Sequence, residues 1–91
     1  MPRPVDIVIY TTAACPYCTQ AKALLRARGL EFTEISVDGD PEGRAAMTAR
    51  AHGRRTVPQI FFGDTHIGGC DDLHDLDAEG GLETALADAA R

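Results

Sequence analysis

Aromatic residues are scarce in this chain: it has no Trp, and Phe and Tyr together are 5% of its 91 residues. Leu, Ile, Val and Ala therefore have to fill most of the core, and the length suffices for one modest core. We expect a single domain over residues 1–91, without repeats or linkers. No apolar run approaches the roughly 18 residues that cross a membrane, so no membrane span is expected.

Cysteines are also few, and their odd number, three, argues against the disulfide framework of a small secreted protein. The first residues, Met1-Pro2-Arg3-Pro4, lead directly into a predicted strand, without the separate apolar region of a secretion signal. Both features favour a cytoplasmic protein.

Basic residues are fewer than acidic ones: the chain has 9 Lys and Arg, 14 Asp and Glu, and a net charge of −5. The deficit lies in residues 71–90, which hold seven acids and no Lys or Arg, whereas residues 1–70 hold eight bases and seven acids. This distribution argues against general nucleic-acid binding, which needs a basic face. The acids are expected to form a solvated helix surface.

Two of the cysteines, Cys15 and Cys18, stand at C-x-x-C spacing between a strand pattern and a helix pattern. Residues 5–10 are rich in β-branched side chains and predict a buried strand. Helical periodicity begins at Tyr17, and Pro16 suits a first helical turn, where a missing N–H costs nothing. We therefore expect Cys15 at a helix N-terminus, with Cys18 three residues on and facing the same side.

A helix N-terminus offers unpaired N–H groups and the positive end of the helix dipole, which stabilise a thiolate and lower the pKa of a thiol placed there. Two sulfurs at i, i+3 spacing are also close enough for a disulfide. We expect Cys15 to be the exposed attacking thiolate and Cys18 the more sheltered resolving thiol. The alternatives are a structural disulfide and half of a zinc site, although a second C-x-x-C or a His pair with metal-ligand spacing is lacking.

The remaining pattern alternates strands and helices and predicts an α/β fold of order βαβαββα with an extra C-terminal helix. The first helix ends at Gly29, and the next strand completes a βαβ unit with parallel strands. A hairpin is expected around residues 63–64. The later predicted elements are a strand at 32–37, a helix capped by Asp40 and reaching about His52, strands at 59–62 and 65–68, a helix through Leu73 and Leu76 with an Asp as N-cap, and a last helix from Leu82.

Two further segments are candidates for binding. Thr56-Val57-Pro58 can present the Val57 backbone to a peptide if the bond before Pro58 is cis, but most X-Pro bonds are trans, which favours an ordinary strand-opening proline. Gly68-Gly69 precedes a predicted helix start, where a ligand backbone can approach closely and a carboxylate is favoured. Asp71 is a candidate partner for a ligand ammonium; the alternative is a plain strand-to-helix turn.

Each of the remaining reactive or charged residues can have either a structural role or a functional one. Cys70 is expected to be packing rather than a third redox thiol. Arg54 and Arg55 either hold a substrate carboxylate or are simply solvated, and Tyr10 and Tyr17 are either packing or a ligand wall beside the thiols. No metal is expected, because the histidines show no spacing typical of a metal site and are interpreted as surface residues: His52, His66 and His74.

Taken together, the segments YTTAACPYC, TVPQIF and HIGGCDDL and the βαβαββα order resemble the glutaredoxins, most closely the short bacterial dithiol type, over about residues 5–82. The resemblance implies a thioredoxin-like fold with a four-stranded mixed sheet flanked by helices, and a cis bond before Pro58. It also implies a monomeric, glutathione-dependent oxidoreductase that reduces protein disulfides and glutathione mixed disulfides through Cys15 and Cys18.

The same resemblance implies a glutathione site, with Arg54 near the glycine carboxylate and the γ-glutamyl end at the glycine pair and the following acid. Glutathione then acts as the reductant, and the partners are disulfide-bonded or glutathionylated proteins. Beside Cys15, the implied glutathione-binding residues are Tyr17, Arg54, Thr56, Val57, Pro58, Gly69, Cys70 and Asp71.

Thr12 departs from the pattern, since the family commonly has a lysine there that assists the thiolate and the glutathione carboxylate. We hypothesise that Arg54 or Arg55 compensates. An alternative function is a glutathione-ligated iron–sulfur carrier, as in related CGFS proteins, but Pro16 and Cys18 argue against it. Two further candidate reductants are thioredoxin reductase and a small thiol other than glutathione.

Overall fold

The computed structural model describes residues 5–90; the N-terminal segment 1–4, on which the argument about a secretion signal partly rests, lies outside that range. The order of elements is the predicted βαβαββα with an additional C-terminal helix. The elements are β1 Ile7–Thr11, α1 Pro16–Ala27, β2 Thr33–Ser36, α2 Pro41–Arg50, β3 Gln59–Phe62, β4 Thr65–Gly68, α3 Cys70–Ala78 and α4 Leu82–Ala89.

The sheet has four strands in the order β2-β1-β3-β4 and is mixed. β1 and β2 are parallel, which confirms the predicted βαβ unit, and β3 runs antiparallel to both β1 and β4. β1 begins two residues later than predicted, because Ile7 is the first residue to pair with β3, and it continues to Thr11, which pairs with Ser36 of β2. Its C-terminal end therefore leads directly into the cysteine loop.

The core lies mainly between one face of the sheet and helices α1, α3 and α4. Leu25 of α1 and Leu73 of α3 are fully buried there against Ile60 and Phe62 of β3. Burying a side chain of this size contributes roughly 2 kcal/mol, which offsets part of the entropy cost of ordering the chain. β3 is buried along its whole length and directly follows Pro58, which is also buried.

The helix ends follow ordinary capping chemistry, with one correction. Asp40 caps α2 as predicted, its carboxylate accepting the Gly43 N–H at 3.0 Å. The predicted Asp cap of α3 is wrong, because Gly69 is the N-cap and the helix already begins at Cys70. Asp72, at the third helical position, instead reaches back to accept the Gly69 N–H at 2.8 Å.

No helix in the described range is long and apolar enough to cross a membrane.

Candidate active site

The two motif cysteines form a disulfide at the start of α1, with their Cα atoms 5.2 Å apart. Cys15 is the N-cap residue in an extended conformation, and its Sγ accepts the Cys18 N–H at 3.1 Å. The helix position predicted from Pro16 is therefore confirmed. An N–H directed at Cys15 Sγ stabilises negative charge on that sulfur once the disulfide is reduced.

Cys15 is less exposed than predicted, although it is still more exposed than Cys18. Cys15 is only 9% exposed, so describing it as exposed is wrong, although Cys18 is more deeply buried at 1%. The predicted order still holds, and an attacking reagent reaches Cys15 more readily than Cys18. The low exposure of Cys15 is due to the neighbouring loop, since the Val57 carbonyl oxygen lies 3.7 Å from Cys15 Sγ.

The Val57–Pro58 bond is cis, as the resemblance implies and contrary to the reading from proline statistics alone. Pro58 is buried and Val57 half-buried, directly before the fully buried strand β3. The Ala13 N–H donates to the Asp38 carboxylate at 2.6 Å, which ties the cysteine loop to the turn after β2.

A groove of about 260 Å³ lies beside the disulfide. It brings together the eight residues predicted beside Cys15 for glutathione binding, and one more, Asp72. The residues that line it are Tyr17, Arg54, Thr56, Val57, Pro58, Gly69, Cys70, Asp71 and Asp72. A larger cavity of about 780 Å³ lies at the other end of β1 between Val5 and Leu86, and no cysteine lines it.

Asp72 is a groove residue that the sequence reasoning missed. Its carboxylate accepts the Gly69 N–H and pairs with the Arg54 guanidinium at 3.0 Å. The Gly69 bond, then the Arg54 interaction, holds the pKa of Asp72 below its usual value. The spacing of Asp72, three residues after Gly69, is the capping signal that identifies it. Arg54 thus stands at the glycine-pair end of the groove, where the γ-glutamyl end of glutathione is expected. This position differs from the expected one near the glycine carboxylate.

Arg55 faces elsewhere. Its carbonyl accepts two hydrogen bonds from the Arg44 guanidinium at 3.2 and 3.0 Å, and Arg55 lines a separate cavity on α2 rather than the groove. Thr12, directly after β1, is not among the groove residues either. Of the two arginines hypothesised to replace the family's lysine, Arg54 is therefore the one that reaches the groove.

Cys70 is a free cysteine, 5% exposed, in the core contact between α3 and the sheet. Burial, and next the charge of Asp71, raises the pKa of this thiol. It is therefore a neutral thiol at neutral pH, which agrees with the interpretation as packing.

The two tyrosines have different roles. Tyr10 packs against Phe61, with ring centroids 5.7 Å apart. Tyr17, in the first turn of α1, is 59% exposed and lines the groove. The sequence left two interpretations open for each tyrosine. Tyr10 is a packing residue, and Tyr17 forms part of the groove wall.

The interpretation of the histidines as surface residues is wrong for His66. It is half-buried, its Nε2 lies 2.7 Å from Gln59 Oε1, and its Nδ1 lies 3.2 Å from Nδ1 of His52. Burial, followed by the positive charge of Arg54, lowers the pKa of His66. His52 and His74 are exposed, and within residues 5–90 no group of three or more His, Cys, Asp or Glu side chains is placed to hold a metal ion.

Known proteins are similar to this chain in sequence and in fold. The family model described as "Glutaredoxin" matches residues 7–67. A glutaredoxin of Pseudomonas aeruginosa is 57% identical over 81 residues, which cover 89% of this chain and 95% of the relative. Glutaredoxin 3 of Escherichia coli K12 is 53% identical over 81 residues, with coverage of 89% and 96%.

Two solved structures are similar over nearly the whole chain. The solution structure of a glutaredoxin from Brucella melitensis has a TM-score of 0.80 at 54% identity and covers 91% of this chain and 89% of that one. A buckwheat glutaredoxin–glutathione complex has a TM-score of 0.80 at 32% identity, with coverage of 93% and 79%. The predicted thioredoxin-like fold is thereby confirmed.

Proposed function

The chain belongs to the glutaredoxin family, and from that premise we propose how its dithiol and its groove act together on glutathione and on protein substrates. It is a dithiol member and a glutathione-dependent thiol–disulfide oxidoreductase. One observation carries the proposal: the Cys15–Cys18 disulfide lies at the N-terminus of α1, next to a groove that assembles residues from three separate parts of the chain.

In the first step of the proposed cycle, the Cys15 thiolate attacks one sulfur of a disulfide-bonded protein. The substrate S–S bond breaks, the leaving sulfur takes the electron pair and is protonated, and Cys15 is joined to the substrate in a mixed disulfide. The Cys18 thiolate then attacks Cys15 Sγ and releases the second substrate thiol. Two electrons pass to the substrate, and Cys15–Cys18 is left oxidised, the state that the structure describes.

Glutathione returns the enzyme to the dithiol form. One glutathione thiolate attacks Cys15, because Cys18 is only 1% exposed, and Cys18 leaves as a thiol. A second glutathione attacks the glutathione sulfur of the Cys15 mixed disulfide and leaves as oxidised glutathione. For a glutathionylated protein, Cys15 alone suffices: its thiolate takes the glutathionyl group and releases the protein thiol, and one glutathione then removes the group as oxidised glutathione.

The groove is proposed to hold the glutathione part of that mixed disulfide. The Val57 backbone, whose carbonyl oxygen lies 3.7 Å from Cys15 Sγ, is proposed to pair with the peptide-like middle of glutathione. Gly69 has no side chain to obstruct the γ-glutamyl end, and the N-terminus of α3 favours the carboxylate there. Asp71 is the proposed partner of the ammonium group. Arg54 is proposed to supply positive charge, with Tyr17, Thr56, Pro58 and Cys70 completing the walls.

A buckwheat relative of the same fold is described as a complex with glutathione, which supports glutathione as the small partner here. Disulfide-bonded and glutathionylated proteins are the proposed clients of a monomer that acts as one domain over residues 1–91. The cytoplasm is the proposed location, since an enzyme re-reduced by glutathione needs a reducing compartment.

The site is tested by titrating reduced glutathione into a ¹⁵N-labelled, reduced Cys18→Ser variant and following amide shifts by NMR. We expect the shifts to concentrate on residues 54–58 and 69–72 and on the first turn of α1. The α2 side of the other cavity, at Arg44, Ala45, Thr48 and Ala49, is the internal control and should be silent. Shifts confined to that cavity would contradict the proposed groove.

A further inference from the structure

A line of hydrogen bonds leads from the protein surface to the groove through a fully buried amide. Gln59, the first residue of β3, has no exposed surface. Its Nε2 lies 2.9 Å from the Thr56 carbonyl oxygen and 3.3 Å from the Thr56 hydroxyl. Since a carbonyl oxygen can only accept, the Gln59 amide must present its NH₂ group to Thr56 and its oxygen to the other side.

His66 meets that oxygen. Its Nε2 lies 2.7 Å from Gln59 Oε1, so Nε2 must carry a proton and donate it. The ring is held in place by Phe61, its direct neighbour on the adjacent strand, with centroids 5.0 Å apart in a stacked arrangement. A neutral His66 then has its acceptor at Nδ1, and His52 donates its own Nδ1–H across 3.2 Å.

The inner end of this line reaches the catalytic loop. Thr56 lines the groove and directly precedes Val57, whose carbonyl oxygen is 3.7 Å from Cys15 Sγ. His66 does not line the groove. The hydrogen bonds described for residues 5–90 connect it to the glutathione site through Gln59, which ties the strand β4 to the backbone of the loop before Pro58.

We propose that His66 is a positioning residue for glutathione binding: it orients the Gln59 amide, which holds the Thr56 carbonyl and hydroxyl and thereby sets the groove wall beside Cys15. This inference rests on the proposed function of the groove. The contact needs only an N–H at the Nε2 position, which both the neutral tautomer derived above and the doubly protonated ring provide. The proposal therefore depends on donor position rather than on charge.

Donor position can be tested with two isosteres. In His66→Gln the side-chain amide nitrogen takes roughly the place of Nε2 and can still donate to Gln59, whereas in His66→Asn it takes roughly the place of Nδ1 and cannot reach. Each variant is assayed for turnover of a small glutathione mixed disulfide over a range of glutathione concentrations. His52→Ala, which leaves the Nε2 donor intact, and His74→Ala, on the exposed face of α3, are matched controls.

We expect His66→Asn to raise the apparent KM for glutathione about five-fold or more, the size of effect of one buried acceptor left unpaired. The kcat at saturating glutathione should change little, because Cys15 is untouched; partial unfolding would instead lower kcat. His66→Gln, His52→Ala and His74→Ala should stay within about two-fold of the wild-type KM. Equal KM values for His66→Gln and His66→Asn would overturn the proposal.

A second readout does not depend on turnover. Hydrogen exchange of the Gln59 side-chain NH₂, followed by NMR, should be slow in the wild type and in His66→Gln and clearly faster in His66→Asn. If the wild type did not turn over glutathione at all, the proposed function would fail, while this exchange pattern would still decide whether His66 holds Gln59. The same exchange rate in all three proteins would overturn the positioning role.

Discussion

The backbone N–H of Cys18 points at Sγ of Cys15 across 3.1 Å, and this contact makes the two cysteines chemically unequal. Cys15, as N-cap, receives the hydrogen bond and the positive end of α1, whereas Cys18 lies within the helix and is 1% exposed. Cys15 Sγ is thus stabilised as a thiolate beside the groove, and Cys18 Sγ can attack it from the buried side.

The first prediction concerns selective alkylation. When the fully reduced protein is treated with a limiting amount of iodoacetamide, Cys15 should react first, because it is the most exposed of the three cysteines and has a stabilised thiolate. Peptide mass spectrometry of early time points identifies the modified residue. Labelling of Cys18 or Cys70 ahead of Cys15 would contradict the assignment of the nucleophile.

The second prediction concerns Cys70. Because this thiol is buried and its pKa is raised, it does not compete as a nucleophile, and Cys70→Ala should keep kcat within about two-fold of the wild type. The coupled glutathione assay measures this. A loss of turnover comparable to that of Cys15→Ser would mean that Cys70 takes part in the chemistry.

The third prediction separates the two neighbouring arginines. Arg54→Gln should raise the apparent KM for glutathione about five-fold, the size of one charge-assisted contact, because Arg54 reaches the groove and pairs with Asp72. Arg55→Gln is the matched control and should stay within about two-fold, since Arg55 lines the cavity on α2 and not the groove. The reverse order would assign the role of the family's missing lysine to Arg55.

The fourth prediction concerns pH and Asp72. Its pKa is lower in the folded protein than in the unfolded chain, so its stabilising effect is complete above the unfolded value and is lost as pH falls through the folded value. In urea unfolding, Asp72→Asn should cost about 0.5–1 kcal/mol at pH 7, the size of a half-exposed cap contact. The difference in unfolding free energy between the wild type and Asp72→Asn should become smaller towards pH 2.

Asp75→Asn supplies the control for this experiment, since Asp75 is an exposed acid of the same helix. It should change the unfolding free energy little at any pH. A gap for Asp72→Asn that stays constant down to pH 2 would show that the charge of Asp72 is not what stabilises the start of α3.

Much of the fold was accessible from the sequence because local signals agree with the tertiary structure. The hairpin strands β3 and β4 have the predicted bounds, fixed by Pro58 before them, the turn at Gly63 and the glycine pair after them. Asp40 and Pro41 mark the start of α2 correctly for the same local reason. The cis bond before Pro58 came from the family resemblance, since proline statistics alone favour trans.

The features that were missed depend on distant contacts. β1 was placed too early because pairing with Phe62, not the apolar run itself, decides where its ladder begins. His66 looked like a surface residue because its partner Gln59 is seven residues away and meets it only across the hairpin. Asp72 was overlooked as a groove residue because its bond to Arg54 spans 18 residues.

The central claim is that Cys15 alone carries the exchange with glutathione. It is tested most directly by NADPH consumption in an assay coupled to glutathione and glutathione reductase, with a small glutathione mixed disulfide as substrate. The wild type and Cys18→Ser should both turn over, and Cys15→Ser should not; with a protein disulfide as substrate, Cys18→Ser should lose activity as well. Turnover by Cys15→Ser, or none by the wild type, would contradict the account.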